Sequence, residues 1–214
     1  MQFSCIYLFI LLHVSMIILR EMNWLRIAAL SLVAIFYGIY FTKLLLMQRQ
    51  GIKVDQMASG KHGREFYMEF SMKIAQYLVV LAMVLSIIFV NPISDIYLII
   101  VGLLLEISGT IVFFLAIWYM RNNWRAGIPL KDKTNLVTDG IYRFSRNPAF
   151  LGFDMFYIGV CIMYFNPFLL IATLLAVALL HNQILMEEKF LIKAFGKEYE
   201  QYMHSVGRYL CLRR

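Results

Sequence analysis

The fold class this sequence predicts is an all-α polytopic membrane protein. Three observations carry that expectation: the composition, the length of the apolar runs and the one-sided placement of the cations. Of 214 residues, 61% are hydrophobic and only 15% charged. The mean hydropathy of +0.70 lies far from the balance of soluble domains. Crossing ~30 Å of hydrocarbon as a helix takes ~20 mainly apolar residues. Six windows meet or approach that length, at 2–19, 27–47, 74–91, 94–120, 149–165 and 168–186. Six spans is the expected count, with five as the alternative.

Taken in order, window 2–19 lacks a basic n-region and a clear small-x-small site, so it is expected to be a first span and not a cleaved signal peptide. Segment 48–73, with Gly51, Gly60 and Gly63, reads as a loop. Windows 74–91 and 94–120 meet at a turn over 91–95. The last two windows are short and meet at Asn166-Pro167, which predicts one helical hairpin.

Cytoplasmic loops collect Lys and Arg, and here three regions hold 17 of the 20 basic residues. They are segment 48–73 (Arg49, Lys53, Lys61, Arg64, Lys73), segment 121–148 (Arg121, Arg125, Lys131, Lys133, Arg143, Arg146) and the tail (Lys189, Lys193, Lys197, Arg208, Arg213, Arg214). The opposite side would hold Arg20 and Arg26, while the turns at 91–95 and 164–168 carry no cation. Both termini are therefore expected to face the cytoplasm. The net charge of +7 follows from that topology and implies no nucleic-acid partner. Cys5, Cys161 and Cys211 are scattered without ligand spacing, so neither a disulfide framework nor a metal site is expected.

The chemistry concentrates in the second half. Asp139-Gly140-Ile141-Tyr142-Arg143-Phe144-Ser145-Arg146-Asn147-Pro148 puts two arginines and loop-forming residues directly before an apolar helix. Leu136 to Arg143 follows an L-V-T-x-G-x-Y-R pattern, and Arg146 to Gly152 an R-[HN]-P-x-[YF]-x-G pattern. Glu187-Glu188 with Leu191, Phe195-Gly196 with Glu198-Tyr199, then Tyr202, Val206 and Arg208 complete an ordered series. Over about residues 109–210 the chain resembles the isoprenylcysteine carboxyl methyltransferase family and the related phospholipid methyltransferases. The resemblance divides the chain into N-terminal transmembrane helices, 1–120, and a methyltransferase core of loop, hairpin and C-terminal helix, 121–214.

The resemblance implies S-adenosylmethionine-dependent methyl transfer at the cytoplasmic membrane face, to a hydrophobic or lipid-like acceptor entering from the bilayer. The cofactor would lie between the loop before the hairpin and the segment after it. Gly140, Tyr142 and Arg143 belong to the implied cofactor set, and Gly140 and Gly152 would allow close approach. Arg146, Asn147 and the free amides of a helix opened by Pro148 would bind the cofactor carboxylate. Phe150 would pack on adenosine or lipid, and Glu187 and Glu188 would accept from the amine or ribose. Tyr199, Tyr202 and Arg208, on an amphipathic helix starting at Glu187, would close the pocket.

A carboxylate acceptor needs no general base, and Arg146 or Arg208 would orient it bidentately. An amine or hydroxyl loses a proton, which makes His181, Glu188 or Asp154 the candidate base. Asp154 follows Asn147 by seven residues and His181 precedes Glu188 by seven, so each shares a helical face with a motif residue. Glu106, inside the fourth window, is expected to pair structurally with His13 or a lysine from a helix end. Trp124-Arg125-Ala126-Gly127-Ile128 reads as an interfacial anchor, with a cofactor-side or substrate-side element as the alternative.

Asn147 and Phe150 stand where the eukaryotic isoprenylcysteine enzymes have His and Tyr, which leaves the acceptor open. One alternative is a nicotinamide-dependent reductase of the sterol type, whose R-H-P-N-Y-x-G-E motif would need His, Tyr and Glu where this chain has Asn147, Phe150 and Phe153. A transporter or scaffold is the other, and it would place broken helices in paired halves at mid-membrane.

Overall fold

The computed structural model describes residues 24–52, 54, 63–125 and 135–210. Every regular element among them is helical. In chain order these are α1 (Trp24–Arg49), α2 (Gly63–Phe89), α3 (Ile96–Met120), α4 (Pro148–Met163), α5 (Pro167–Phe195) and α6 (Lys197–Ser205), with short 3₁₀ turns at Arg121–Asn123 and Gly140–Arg143. Among the described residues four helices are long and apolar enough to cross a membrane, and α4 is a shorter apolar helix. The window at 2–19 lies outside the described residues, as do Cys5, His13, Arg20, Gly60 and Cys211.

Two boundaries differ from expectation for one reason. Helix α2 starts at Gly63 rather than 74, and α5 continues to Phe195 rather than 186. Apolar windows stop where charges appear, but helical periodicity carries on through them. Met72, Ala75, Val79, Met83 and Ile87 form one buried stripe that reaches back to Glu69. On α5, Leu180, Ile184 and Glu188 likewise stay on the buried face. The tail helix expected from Glu187 is thus the end of α5. A bend at Gly196 (φ 54°) separates it from α6, and Val206 lies beyond the helix.

The tightest packing is antiparallel, between α3 and α4. Gly102 faces Gly159 and Gly109 faces Gly152, two pairs at heptad spacing. A Cβ on Gly109 would sit 2.7 Å from the Gly152 carbonyl oxygen, and one on Gly159 would sit 2.6 Å from that of Gly102. Small residues let helix backbones meet where lipid supplies no hydrophobic drive. The close approach expected at Gly152 is therefore to α3, and the space beside it is filled by Gly109 and Phe113.

Above this seam, Phe36 of α1 joins α3 and α4 through Phe113 (centroids 4.7 Å apart), Phe153 (4.9 Å) and Phe156 (4.3 Å). Tyr37 and Tyr157 share a hydroxyl hydrogen bond of 3.1 Å. Arg26, on the side opposite the cation-rich loops, is buried and caps α2. It donates to the Ile88 carbonyl (3.0 Å) and Asn91 Oδ1 (2.9 Å). Its position reflects helix capping, since cations suit helix C-termini. Glu106 is fully buried, and among the described residues neither carboxyl oxygen has a hydrogen-bond partner. No described lysine fills the expected role.

Gly109→Leu should lower the thermal unfolding midpoint in detergent, because overpacking costs about 1–3 kcal/mol even where only side chains collide. An unchanged midpoint would contradict the close α3–α4 contact.

Candidate functional site

The ordered motif elements converge at the ends of α4 and α5, on the side where the cation-rich segments lie. Asn147 caps α4, with Pro148 as the first helical residue, where a missing N–H is harmless. The Asn147 side chain makes no capping hydrogen bond. It turns instead toward Glu188, seven residues from the end of α5.

Glu188 is the centre of the network. Its Oε1 accepts from Arg146 Nη2 (2.9 Å), Arg146 Nε (3.3 Å) and Asn147 Nδ2 (3.2 Å). Its Oε2 accepts from Arg208 Nη2 (2.8 Å) and Nε (3.0 Å). The Glu188 and Arg146 side chains are 4% and 7% exposed, whereas Arg208 is 37% exposed. A buried ion pair survives desolvation when its remaining donors and acceptors are met. Here they are: Arg146 Nη1 donates to the Met203 and Val206 carbonyls at 2.9 and 2.8 Å.

The backbone completes the join. Arg146 N donates to the Gly207 carbonyl (3.0 Å), and Asn147 Nδ2 donates to that of Arg208 (3.2 Å). Ser145 Oγ donates to the same Arg208 carbonyl at 3.4 Å and accepts from Asn147 N at 3.1 Å. The network holds one carboxylate and two guanidinium groups, so it carries a net positive charge. The hydrogen bonds that Arg208 donates to Glu188 raise its proton affinity still further.

Gly140 takes φ 59°, a conformation that favours glycine, and a Cβ there would strike the Tyr119 ring. The 3₁₀ turn it opens delivers Tyr142, whose carbonyl accepts from Tyr202 Oη at 2.6 Å. Tyr199 packs beside Tyr202, with centroids 6.0 Å apart. Burial pushes the Tyr199 phenol up to about 12 and raises Tyr142 and Tyr202 further, so all three remain neutral. These tyrosines brace the loop against α6.

The remaining expected residues divide. Arg143 turns outward and pairs with exposed Asp139 at 3.3 Å. Glu187 accepts from Gln183 Nε2 (3.0 Å) and lines a small cavity of about 100 Å³ with Tyr142, Arg146, Asn147 and Phe150. Tyr40, Met72 and Gln76 close that cavity from the first half of the chain, and Trp124 from the second. Trp124 is 6% exposed, packs edge-on to Tyr40 at 5.5 Å and lines this cavity with Arg125, which fits the site-side alternative better than the interfacial anchor. A larger cleft of about 740 Å³ lies between the 136–144 loop and α6, lined by Thr138, Arg143, Glu198, Gln201 and Tyr202.

Asp154 and His181 sit about two turns deeper than Asn147 and Glu188. His181 Nδ1 shares a 2.8 Å hydrogen bond with Tyr209 Oη, the rings stacked at 6.0 Å. Asp154 is buried, and its Oδ1 has no hydrogen-bond partner among the described residues. Neither side chain joins the Glu188 network. The sequence pattern assigns no role to Ser145 or Tyr209, although both adjoin motif arginines. Among the described residues no cluster of His, Cys, Asp and Glu could hold a metal ion.

Residues 97–198 match the Phospholipid methyltransferase family. A probable protein-S-isoprenylcysteine O-methyltransferase of Oryza sativa subsp. indica is 34% identical over 109 residues, which are 50% of this chain and 57% of the relative. The protein-S-isoprenylcysteine O-methyltransferase of Saccharomyces cerevisiae is 31% identical over 111 residues, 50% of this chain and 46% of that protein. The chain thus matches about half the length of these curated relatives. A solved structure of the eukaryotic intramembrane Ras methyltransferase, an isoprenylcysteine carboxyl methyltransferase, shares the fold with a TM-score of 0.59 at 21% identity. That likeness covers 86% of this chain and 65% of the other.

Glu188→Gln should destabilise the protein by about 3–5 kcal/mol, because it strands a buried guanidinium. Replacing Arg146 and Glu188 together by Met should recover part of the loss in the same denaturation assay. Equal stability of Glu188→Gln and wild type would contradict the network's structural role.

Proposed function

We propose that the chain, whose residues 97–198 match the Phospholipid methyltransferase family and which resembles protein-S-isoprenylcysteine O-methyltransferases over half its length, transfers a methyl group from S-adenosylmethionine to a hydrophobic acceptor at the cytoplasmic membrane face. The observation that carries this reading is the Glu188 network. It draws the three motif segments into one cationic site at the cation-rich end of the bundle.

The donor set suits such a cofactor. Both Glu188 oxygens are taken, so Glu188 positions the two arginines and does not itself meet the cofactor amine. Arg208, more than a third exposed and with no hydrogen bond from Nη1 among the described residues, is the group that reaches the cofactor carboxylate. The first-turn amides of α4, which no side chain caps, favour the same anion. The 740 Å³ cleft falls within the ~300–1,000 Å³ of small-molecule sites. It accepts the nucleoside end, with Glu198 and Gln201 as acceptors for ribose hydroxyls.

When bound, S-adenosylmethionine supplies an electrophilic methyl on a sulfonium. The chain's residues contribute position and a low-dielectric setting, in which opposite charges neutralise as the transition state forms. Phe150, Phe153 and Trp124 exclude water beside Asn147. A carboxylate of prenylcysteine type, as the relatives' names indicate, needs no proton removed. For an amine, His181 with Tyr209 is the pair able to take up a proton, since Glu188 is fully engaged. The reductase and transporter readings find no support in these relatives.

Calorimetry in detergent should show micromolar S-adenosylhomocysteine binding and none of NADPH. Arg208→Ala should weaken it about tenfold or more, the worth of a charge-assisted hydrogen bond. Transfer of radiolabelled methyl to a farnesylated cysteine should follow the same order. Binding of NADPH alone, or undiminished binding by Arg208→Ala, would overturn the assignment.

A further inference from the structure

A cavity of about 940 Å³ opens between α1 and α3, away from the Glu188 network. Its walls are apolar: Ile39 and Leu46 from α1, Phe114, Ile117 and Trp118 from α3. Gly38 forms part of the α1 wall, and a Cβ built on it would meet nothing within 4 Å. Lys43 and Arg121 stand at the cation-rich end of this groove, beside Asn122, Asn123 and Asn135. Neither cation pairs with a carboxylate among the described residues. Arg121 also holds a φ of 48°, the one positive φ among described residues other than glycine.

The order of these groups along the helices is informative. Both α1 and α3 run toward the cation-rich end. Gly38 and Phe114 therefore lie deeper in the bundle than Lys43 and Arg121, by about 1.5 Å per residue. An apolar trough with cations and amides at its mouth fits a molecule with an anionic head and a hydrocarbon chain. Basic pockets between helices at this level recognise lipid phosphates. Residues from the proposed methyl-transfer site do not line this groove, so its occupant is a separate matter from the acceptor.

We propose that the α1–α3 groove is a binding site for an anionic phospholipid, its phosphate held by Lys43 and Arg121 and one acyl chain lying along Gly38, Ile117 and Trp118. The two cations carry the headgroup preference, and the trough carries the requirement for a chain.

Native mass spectrometry of the full chain, released from detergent with equal phosphatidylglycerol and phosphatidylcholine, tests this. Phosphatidylglycerol adducts should dominate. Lys43→Gln and Arg121→Gln should each cut that preference about fivefold. Gly38→Phe should reduce adducts of both lipids, since the ring would fill the trough without meeting the backbone. Soluble glycerol phosphate should bind far more weakly than the lipid. Equal retention of the two lipids by the wild type would overturn the proposal, as would an unchanged preference in the glutamine variants. Glycerol phosphate binding as well as the lipid would replace the lipid with a simple anion site. Retained S-adenosylhomocysteine binding by the variants would show them folded and keep this result separate from the methyl-transfer reading.

Discussion

One carboxylate between two guanidinium groups organises the functional half of this protein. Glu188 comes from the end of α5, Arg146 from the loop entering α4, and Arg208 from the tail beyond α6. None of these segments is held there by apolar burial alone. Away from the ion pair, the tail and α6 contribute only a small cluster around Tyr199, Tyr202 and Val206. Remove the charge at Glu188 and Arg146 becomes a buried cation with nothing opposite it.

The transmembrane packing explains why the network can be so exactingly placed. Glycine pairs at 102/159 and 109/152 fix the depth of α4 against α3, and α4 in turn presents Asn147 and Pro148 at its entrance. The hairpin turn is tied on the opposite side, where Asn166 Nδ2 donates to Ser86 Oγ at 2.9 Å and Ile93 N to the Met163 carbonyl at 2.9 Å. With both ends of α4 anchored, a side chain at its N-terminus keeps one position. Preorganisation of this kind is what the proposed methyl transfer would draw upon.

Much of this was legible in the residues, and the misses have physical causes. Hydropathy located every apolar helix among the described residues, because the bilayer demands length and apolarity before anything else. It misplaced the start of α2 and the end of α5, where amphipathic periodicity outlasts the apolar run. The motif series named Arg146, Asn147, Glu188 and Arg208, but spacing cannot tell a ligand-binding group from one already paired. Glu188, expected as a cofactor acceptor, proved to be the partner of two arginines. Gly152 reads as a point of close approach for backbone or adenosine, and the sequence cannot name Gly109 as the backbone it meets, because that glycine lies on another helix and no local pattern joins the two. The Tyr40, Met72 and Gln76 contribution was invisible for the same reason: contacts between helices far apart in sequence leave no trace in a single chain. Arg26, read as a minor exception to the charge rule, caps a helix that ends more than sixty residues later.

S-adenosylmethionine is proposed to bind where the three motif segments meet. Ultraviolet crosslinking of radiolabelled S-adenosylmethionine to the protein in detergent, with the labelled peptides identified by mass spectrometry, tests it most directly. Label confined to peptides spanning 136–150 or 196–210 is the expected result, competed away by S-adenosylhomocysteine. Label on α1 or α2 peptides alone, or label that S-adenosylhomocysteine fails to displace, would contradict the account.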